Sequence, residues 1–207
     1  MVRLVIKAII FDYYGVMCPR IAPLIAKETA RQFDAPYKSV EPVTDELLDL
    51  MDDSSITFYE YWRRLKAKFG NKDAKLNRHR KIWRDLTLGL EINPKMEALI
   101  VRLRKAGYKV TVLTNVARKM AGYNRMKGRY KIFKPVFLSC EIGLKKPSAS
   151  VFKHVLKKLK LRANECIFID DNENYLKGAE AVGIKTILFS NFSQLVGSLR
   201  KFGIHGI

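Results

Sequence analysis

Five short apolar runs, Val5 to Phe11, Lys109 to Thr114, Val136 to Ser139, Cys166 to Asp170 and Lys185 to Phe189, are each bounded by charged or turn residues and read as strands. Near-continuous apolar runs of this kind belong to strands buried on both faces, which means a parallel sheet covered by helices. Helical stripes separate them. Asn93 and Pro94 occupy cap and first-turn positions ahead of Met96, Leu99, Ile100 and Leu103, and Gly107 closes that helix. Ser148 opens a second helix with the stripe Phe152, Val155, Leu156 and Leu159. Asn172 caps a third that Gly183 ends, and Leu195 with Leu199 marks a last one. Strands alternating with helices predict a doubly wound α/β domain.

The stretch between Pro19 and Leu90 breaks the alternation. Its pattern is helical throughout, over Ile21 to Phe33, Thr44 to Met51, Phe58 to Phe69 and Leu76 to Leu86. Turn residues Asp34-Ala35-Pro36, Asp52 to Ser55 and Gly70-Asn71 separate these segments. The expectation is a core made of residues 1–18 and 91–207, with residues 19–90 inserted after the first strand as a small all-helical cap. An insert at that point sits over the carboxyl edge of the sheet, where ligands bind in such folds.

A chain of 207 residues accommodates one core with a small insert. Cys18, Cys140 and Cys166 match no zinc or disulfide spacing and read as reduced thiols, which favours a cytoplasmic protein. No run approaches the roughly 20 apolar residues of a membrane span, and no small-residue cleavage site follows the first apolar run. Lysine and arginine number 39 against 20 acids, a net charge of +19 that attracts polyanions, phosphorylated substrates or acidic partners. Oligomeric state is left open.

Polar groups collect where the strands end. Asp12 follows the first, Thr114 and Asn115 finish the second, Lys145 and Lys146 come soon after the third, and Asp170 and Asp171 finish the fourth. Read singly, these are ordinary strand-end hydroxyls, helix caps and solvated lysines. In a parallel sheet, however, all these ends share one edge, and acids, an amide, a hydroxyl and an ammonium in one crevice suit a divalent cation and a phosphoryl group. Oxygen donors favour Mg²⁺.

In order and spacing, Phe11-Asp12-Tyr13-Tyr14-Gly15-Val16, Val112-Leu113-Thr114-Asn115, Leu144-Lys145-Lys146-Pro147 and Phe168-Ile169-Asp170-Asp171-Asn172 resemble the four motifs of the haloacid dehalogenase superfamily, whose members are mostly phosphatases. The helical insert resembles that superfamily's C1-type cap. The fourth motif is similar to those of the glucose-1-phosphate phosphatase branch and of the phosphatase domain of soluble epoxide hydrolases. The resemblance implies that Asp12 attacks phosphorus to form an aspartyl phosphate, and that Thr114, Asn115 and Lys146 hold the phosphoryl oxygens. It also implies Mg²⁺ on Asp12, the Tyr14 carbonyl and Asp171, with Asp170 as an outer-sphere or additional ligand. A small phosphorylated metabolite is the implied substrate.

Tyr14 departs from the pattern. Most of the superfamily's phosphatases carry a second Asp there, which protonates the leaving alcohol, whereas a phenol has an ordinary pKa near 10. A slow or selective phosphatase is therefore expected. Two alternatives are carried: a 2-haloacid dehalogenase, because those enzymes have Asp-x-Tyr-Gly at this motif, and a non-catalytic phosphate- or nucleic-acid-binding protein. The last draws on Arg63, Arg64, Lys66, Lys68, Lys72, Lys75, Arg78, Arg80, Lys81 and Arg84, interleaved with Tyr61, Trp62, Phe69 and Trp83. The plainer expectation is that these rings form the core of the cap while the charges face water. His79, His154 and His205 are too scattered to suggest a metal or catalytic site.

Overall fold

The computed structural model describes residues 5–70 and 74–204; Asn71 and Lys72, in the expected turn and basic run, and His205 lie outside them. Five strands form one sheet: β1 (Ala8–Phe11), β2 (Lys109–Thr114), β3 (Val136–Leu138), β4 (Cys166–Asp170) and β5 (Lys185–Leu188). Their order is β3-β2-β1-β4-β5 and every pairing is parallel. β1 is therefore central, and the chain winds outward from it in both directions.

Four helices follow β1 directly: α1 (Ala22–Phe33), α2 (Tyr37–Asp52), α3 (Phe58–Phe69) and α4 (Leu76–Gly89). The remainder are α5 (Pro94–Lys105), α6 (Arg118–Met126), the single turn α7 (Ser139–Ile142), α8 (Ala149–Leu159), α9 (Glu173–Glu180) and α10 (Phe192–Lys201). The alternation of side chains along a strand explains the two-sided burial. Ala8 and Ile10 share one core with Leu113, Phe168 and the buried stripes of α8 and α9. Ile9 and Phe11 face the other way, with Val112, Ile169, the α5 stripe and Leu195 and Leu199 of α10. Each of these buried valine, leucine, isoleucine and phenylalanine side chains contributes about 1.5–3 kcal/mol by leaving water.

Helix α2 is longer than the sequence pattern predicts. It begins at Tyr37 and runs through Pro42, where the expected segment begins only at Thr44. Pro42 lies on the exposed side, so the lost backbone hydrogen bond does not disturb the buried stripe Val40, Thr44, Leu47, Leu48 and Met51. Ser139 opens α7 instead of extending β3.

Helices α1 to α4 pack on one another, α1 against α2 and α4, and α2 against α3. Their interior is aromatic: Tyr61 meets Trp83 at 5.1 Å between ring centres, and His79 stacks on Tyr61 at 5.6 Å. Phe33, Phe58, Trp62 and Phe69 belong to the same group. Tyr61, Trp62 and Trp83 are buried, while Arg63, Arg64, Lys66, Lys68, Lys75, Arg78, Arg80, Lys81 and Arg84 are exposed. The rings thus serve the helical core and the charges face solvent.

Candidate active site

The sheet register brings the first two acids together. Phe11 pairs with Ile169, and the Asp12 N–H donates to the Ile169 carbonyl at 2.8 Å, so Asp12 and Asp170 leave neighbouring strands side by side. Two buried carboxylates at that spacing repel. Lys146 sits on both, its Nζ donating to Asp12 Oδ1 at 2.7 Å and to Asp170 Oδ2 at 2.6 Å. All three are almost wholly withdrawn from water. Burial raises the Asp12 carboxyl above the usual carboxylate range and Asp170 adds to that, while the Lys146 ammonium draws it back. Asp170 is raised by burial in the same way. Burial disfavours the Lys146 charge, but the two carboxylates prevail and hold it above the usual lysine range.

Asn115 explains why Lys146 arrives there. Its Oδ1 accepts the Lys146 N–H at 2.9 Å and its Nδ2 donates to the Lys146 carbonyl at 3.0 Å, a two-point hold on the loop's backbone. Gly178 of α9 holds the other side of the loop: a Cβ there would stand 2.1 Å from the Pro147 carbonyl oxygen. Thr114 is buried at the end of β2, and its hydroxyl makes only a 3.3 Å contact with the Asn115 carbonyl.

Asp171 turns to the other side of the β1 loop. A Cβ at Gly15, whose φ is +94°, would fall 2.1 Å from Asp171 Oδ2, so this carboxylate lies directly on the Tyr14-Gly15 backbone. Oxygens of Asp12, Asp170 and Asp171 come within 4.8 Å of one another. An all-oxygen set of this kind fits a hard divalent cation. At the rim Arg20 grips Asp171, with Nε 2.5 Å from Oδ2 and an NH2 group donating to the Asp171 carbonyl at 3.2 Å.

The Tyr14 phenol is engaged away from the acids. Its oxygen accepts from Asn124 Nδ2 at 2.7 Å, and the same amide donates to Tyr130 at 3.0 Å. Asn124 Oδ1 in turn accepts from Arg129 at 2.9 Å, and Arg129 donates to the carbonyls of Thr87, Leu88 and Leu90 at the end of α4. Burial pushes the Tyr14 hydroxyl well above its ordinary pKa.

Asp12, Tyr14, Thr114, Asn115, Lys146 and Asp171 all line one cavity of about 190 Å³; Asp170 does not line it and contacts the lining residue Lys146. Arg20, Leu48, Asp52 and Tyr175 also line it and are not singled out by the sequence. The acidity of the α2 segment, with Glu41, Asp45, Glu46, Asp49 and Asp52 against the single Lys38 in a chain that is basic as a whole, was the available signal. Lys145 points elsewhere, to Asp49 at 2.7 Å and Asp53 at 3.1 Å, tying the end of α2 to the core.

The sequence model of the haloacid dehalogenase-like hydrolases matches residues 6–183. Among curated relatives, a sesquiterpene phosphatase of Aspergillus oryzae is 31% identical over 103 residues, which cover 49% of this chain and 53% of that protein. Bifunctional epoxide hydrolase 2 of Sus scrofa is 29% identical over 116 residues, 54% of this chain and 21% of that one. The chain thus spans about half or less of the curated relatives it matches. A family enzyme from Bacteroides thetaiotaomicron, solved with magnesium and inorganic phosphate, superposes with a TM-score of 0.70 at 22% identity, covering 92% of this chain and 98% of that one. At that identity the likeness is one of fold.

Proposed function

The chain belongs to the haloacid dehalogenase-like hydrolase family, and from that premise we propose that it is a Mg²⁺-dependent phosphatase of a small phosphorylated metabolite, working through an aspartyl phosphate on Asp12. The observation that carries this reading is the buried Asp12–Lys146–Asp170 group at the central strand end, opening with Asp171 into one cavity.

Asp12 is the nucleophile, attacking phosphorus and splitting one displacement into two. Lys146, already on the Asp12 carboxylate, meets the phosphoryl oxygens as they approach, and the Thr114 hydroxyl, which among the described residues makes only the 3.3 Å contact with the Asn115 carbonyl, joins it. Asn115 acts mainly through the Lys146 backbone it holds. Asp12, Asp171 and the Tyr14 carbonyl would hold Mg²⁺, with Asp170 as an additional or outer ligand. The ion's contribution is to offset the repulsion between an anionic nucleophile and an anionic ester. Residues 19–90 serve as the cap: its residues Arg20, Ile21, Leu48 and Asp52 wall the same cavity, and they are placed to choose the substrate.

Phosphate release from p-nitrophenyl phosphate is expected to require Mg²⁺, to stop in EDTA and to fall to background in Asp12→Asn. Release indifferent to both would overturn the reading. Tyr14 keeps a dehalogenase reading in view. Metal-independent halide release from a 2-haloacid would replace the phosphatase with it.

A further inference from the structure

If Asp12 forms an aspartyl phosphate, some group must supply a proton to the departing alcohol, and Tyr14 stands where the family usually has that acid. The phenol is occupied by Asn124 and held by burial far above a useful pKa. Of the carboxyls lining the cavity, Asp12 is bound by Lys146 and Asp171 by Arg20. The third is Asp52, at the last position of α2.

The helix sorts its acids by face. Asp49 and Asp53, four residues apart, take Lys145, whereas Leu48 and Asp52, one position earlier in each turn, line the cavity. Among the described residues no hydrogen bond or ion pair engages the Asp52 carboxyl. Its main chain, by contrast, is anchored. The Ser139 hydroxyl donates to the Asp52 carbonyl and accepts from the Val116 N–H at 2.9 Å. One serine therefore ties the end of α2 to the loop that follows Thr114 and carries Asn115.

We propose that Asp52, delivered by the cap, is the general acid and base of this site, in place of the second aspartate that Tyr14 displaces. The inference rests on the phosphatase reading. In the first step the Asp12 oxygen bonds to phosphorus, the bond from phosphorus to the ester oxygen breaks, and the Asp52 proton goes to that oxygen, releasing an alcohol. In the second, Asp52 carboxylate takes a proton from water as the water oxygen bonds to phosphorus. The bond to Asp12 breaks, inorganic phosphate leaves, and both side chains return to their starting states.

The surroundings keep the proton available. Burial pushes the Asp52 carboxyl up to about 8, with repulsion from Asp49 and Asp53 adding to it and Lys145 and Lys146 drawing it back. Cys140 of α7 and Tyr175 of α9 are further titratable groups near it, and Asp12, Asp171 and Arg20 ahead of α1 share the cavity. Asp52 therefore holds its proton to higher pH than an ordinary carboxyl.

The test compares kcat/KM for p-nitrophenyl phosphate, whose phenolate leaves unaided, with that for an alkyl ester, glycerol phosphate, in the wild type, Asp52→Asn and Asp12→Asn. Asp52→Asn is expected to lose about 10²- to 10⁴-fold on glycerol phosphate and far less on the aryl ester. It should keep its thermal midpoint, since the amide replaces a protonated carboxyl of the same shape. The alkaline limb of the wild-type pH profile should vanish in it. Equal losses on both esters, or none, would overturn the assignment while Asp12→Asn, silent on both, leaves the phosphatase reading standing. A wild type that releases phosphate from neither ester would overturn both.

Discussion

Lys146 separates two carboxylates that the parallel register sets side by side, and it does so almost without water. Removing one partner of a buried ionic group typically costs about 3–5 kcal/mol, because the remaining charges are left uncompensated. Lys146→Met is therefore expected to abolish turnover and to lower the unfolding free energy by about that much in urea titrations. Adding Asp170→Asn should return part of the stability and none of the turnover. The core of this site was legible from the sequence because strand ends converge by topology: Asp12, Thr114, Lys146, Asp170 and Asp171 are all found at one edge. Arg20 and Asp52 were not legible. A helix has several faces, and amphipathic pattern reports which one is buried without saying which polar flank meets a strand edge in another part of the chain.

Among the elements, α4 carries a consequence of its buried ring. His79 is fully withdrawn from water, its Nδ1 donating to Gln32 Oε1 at 2.7 Å while its buried Nε2 has no partner among the described residues, so burial keeps the ring neutral. Burial lowers its pKa to about 3. Below pH 6.5 the unfolded chain takes up a proton that the folded one refuses, so stability falls as pH drops from 6.5 towards 3 and levels off beneath. At pH 5 the loss relative to neutral pH is about 2 kcal/mol by proton linkage. Urea midpoints at pH 7 and 5 check it, and the pH slope should shrink in His79→Asn. The elements themselves were largely readable: the aromatic stripes of α3 and α4 gave their own burial, and the capping Asn93, Ser148 and Asn172 lie where expected. The first two turns of α2 were not readable, since a proline in sequence does not reveal whether its side of the helix faces solvent.

Across the whole molecule, the positive charge is spread over solvent-facing helices, and Lys145 is one of the lysines that join the two parts of the chain. Lys145 reaches Asp49 and Asp53 together with the Asp49 carbonyl, holding the end of α2 against the core. Partly exposed pairs of this kind contribute about 1 kcal/mol at most, roughly a fivefold change in an equilibrium constant. Lys145→Ala is expected to raise KM about fivefold at low ionic strength with a smaller change in kcat, and the difference should narrow in high salt as screening removes what the lysine supplied. Tyr14 belongs to a second such connection, through Asn124 and Arg129 to the last carbonyls of α4. Its consequence is a coupling between two positions: an aspartate at 14 would take away the partner of one of the two buried Asn124 N–H groups, leaving Tyr130 and Arg129 as its contacts, so an exchange at 14 costs least when residue 124 changes with it.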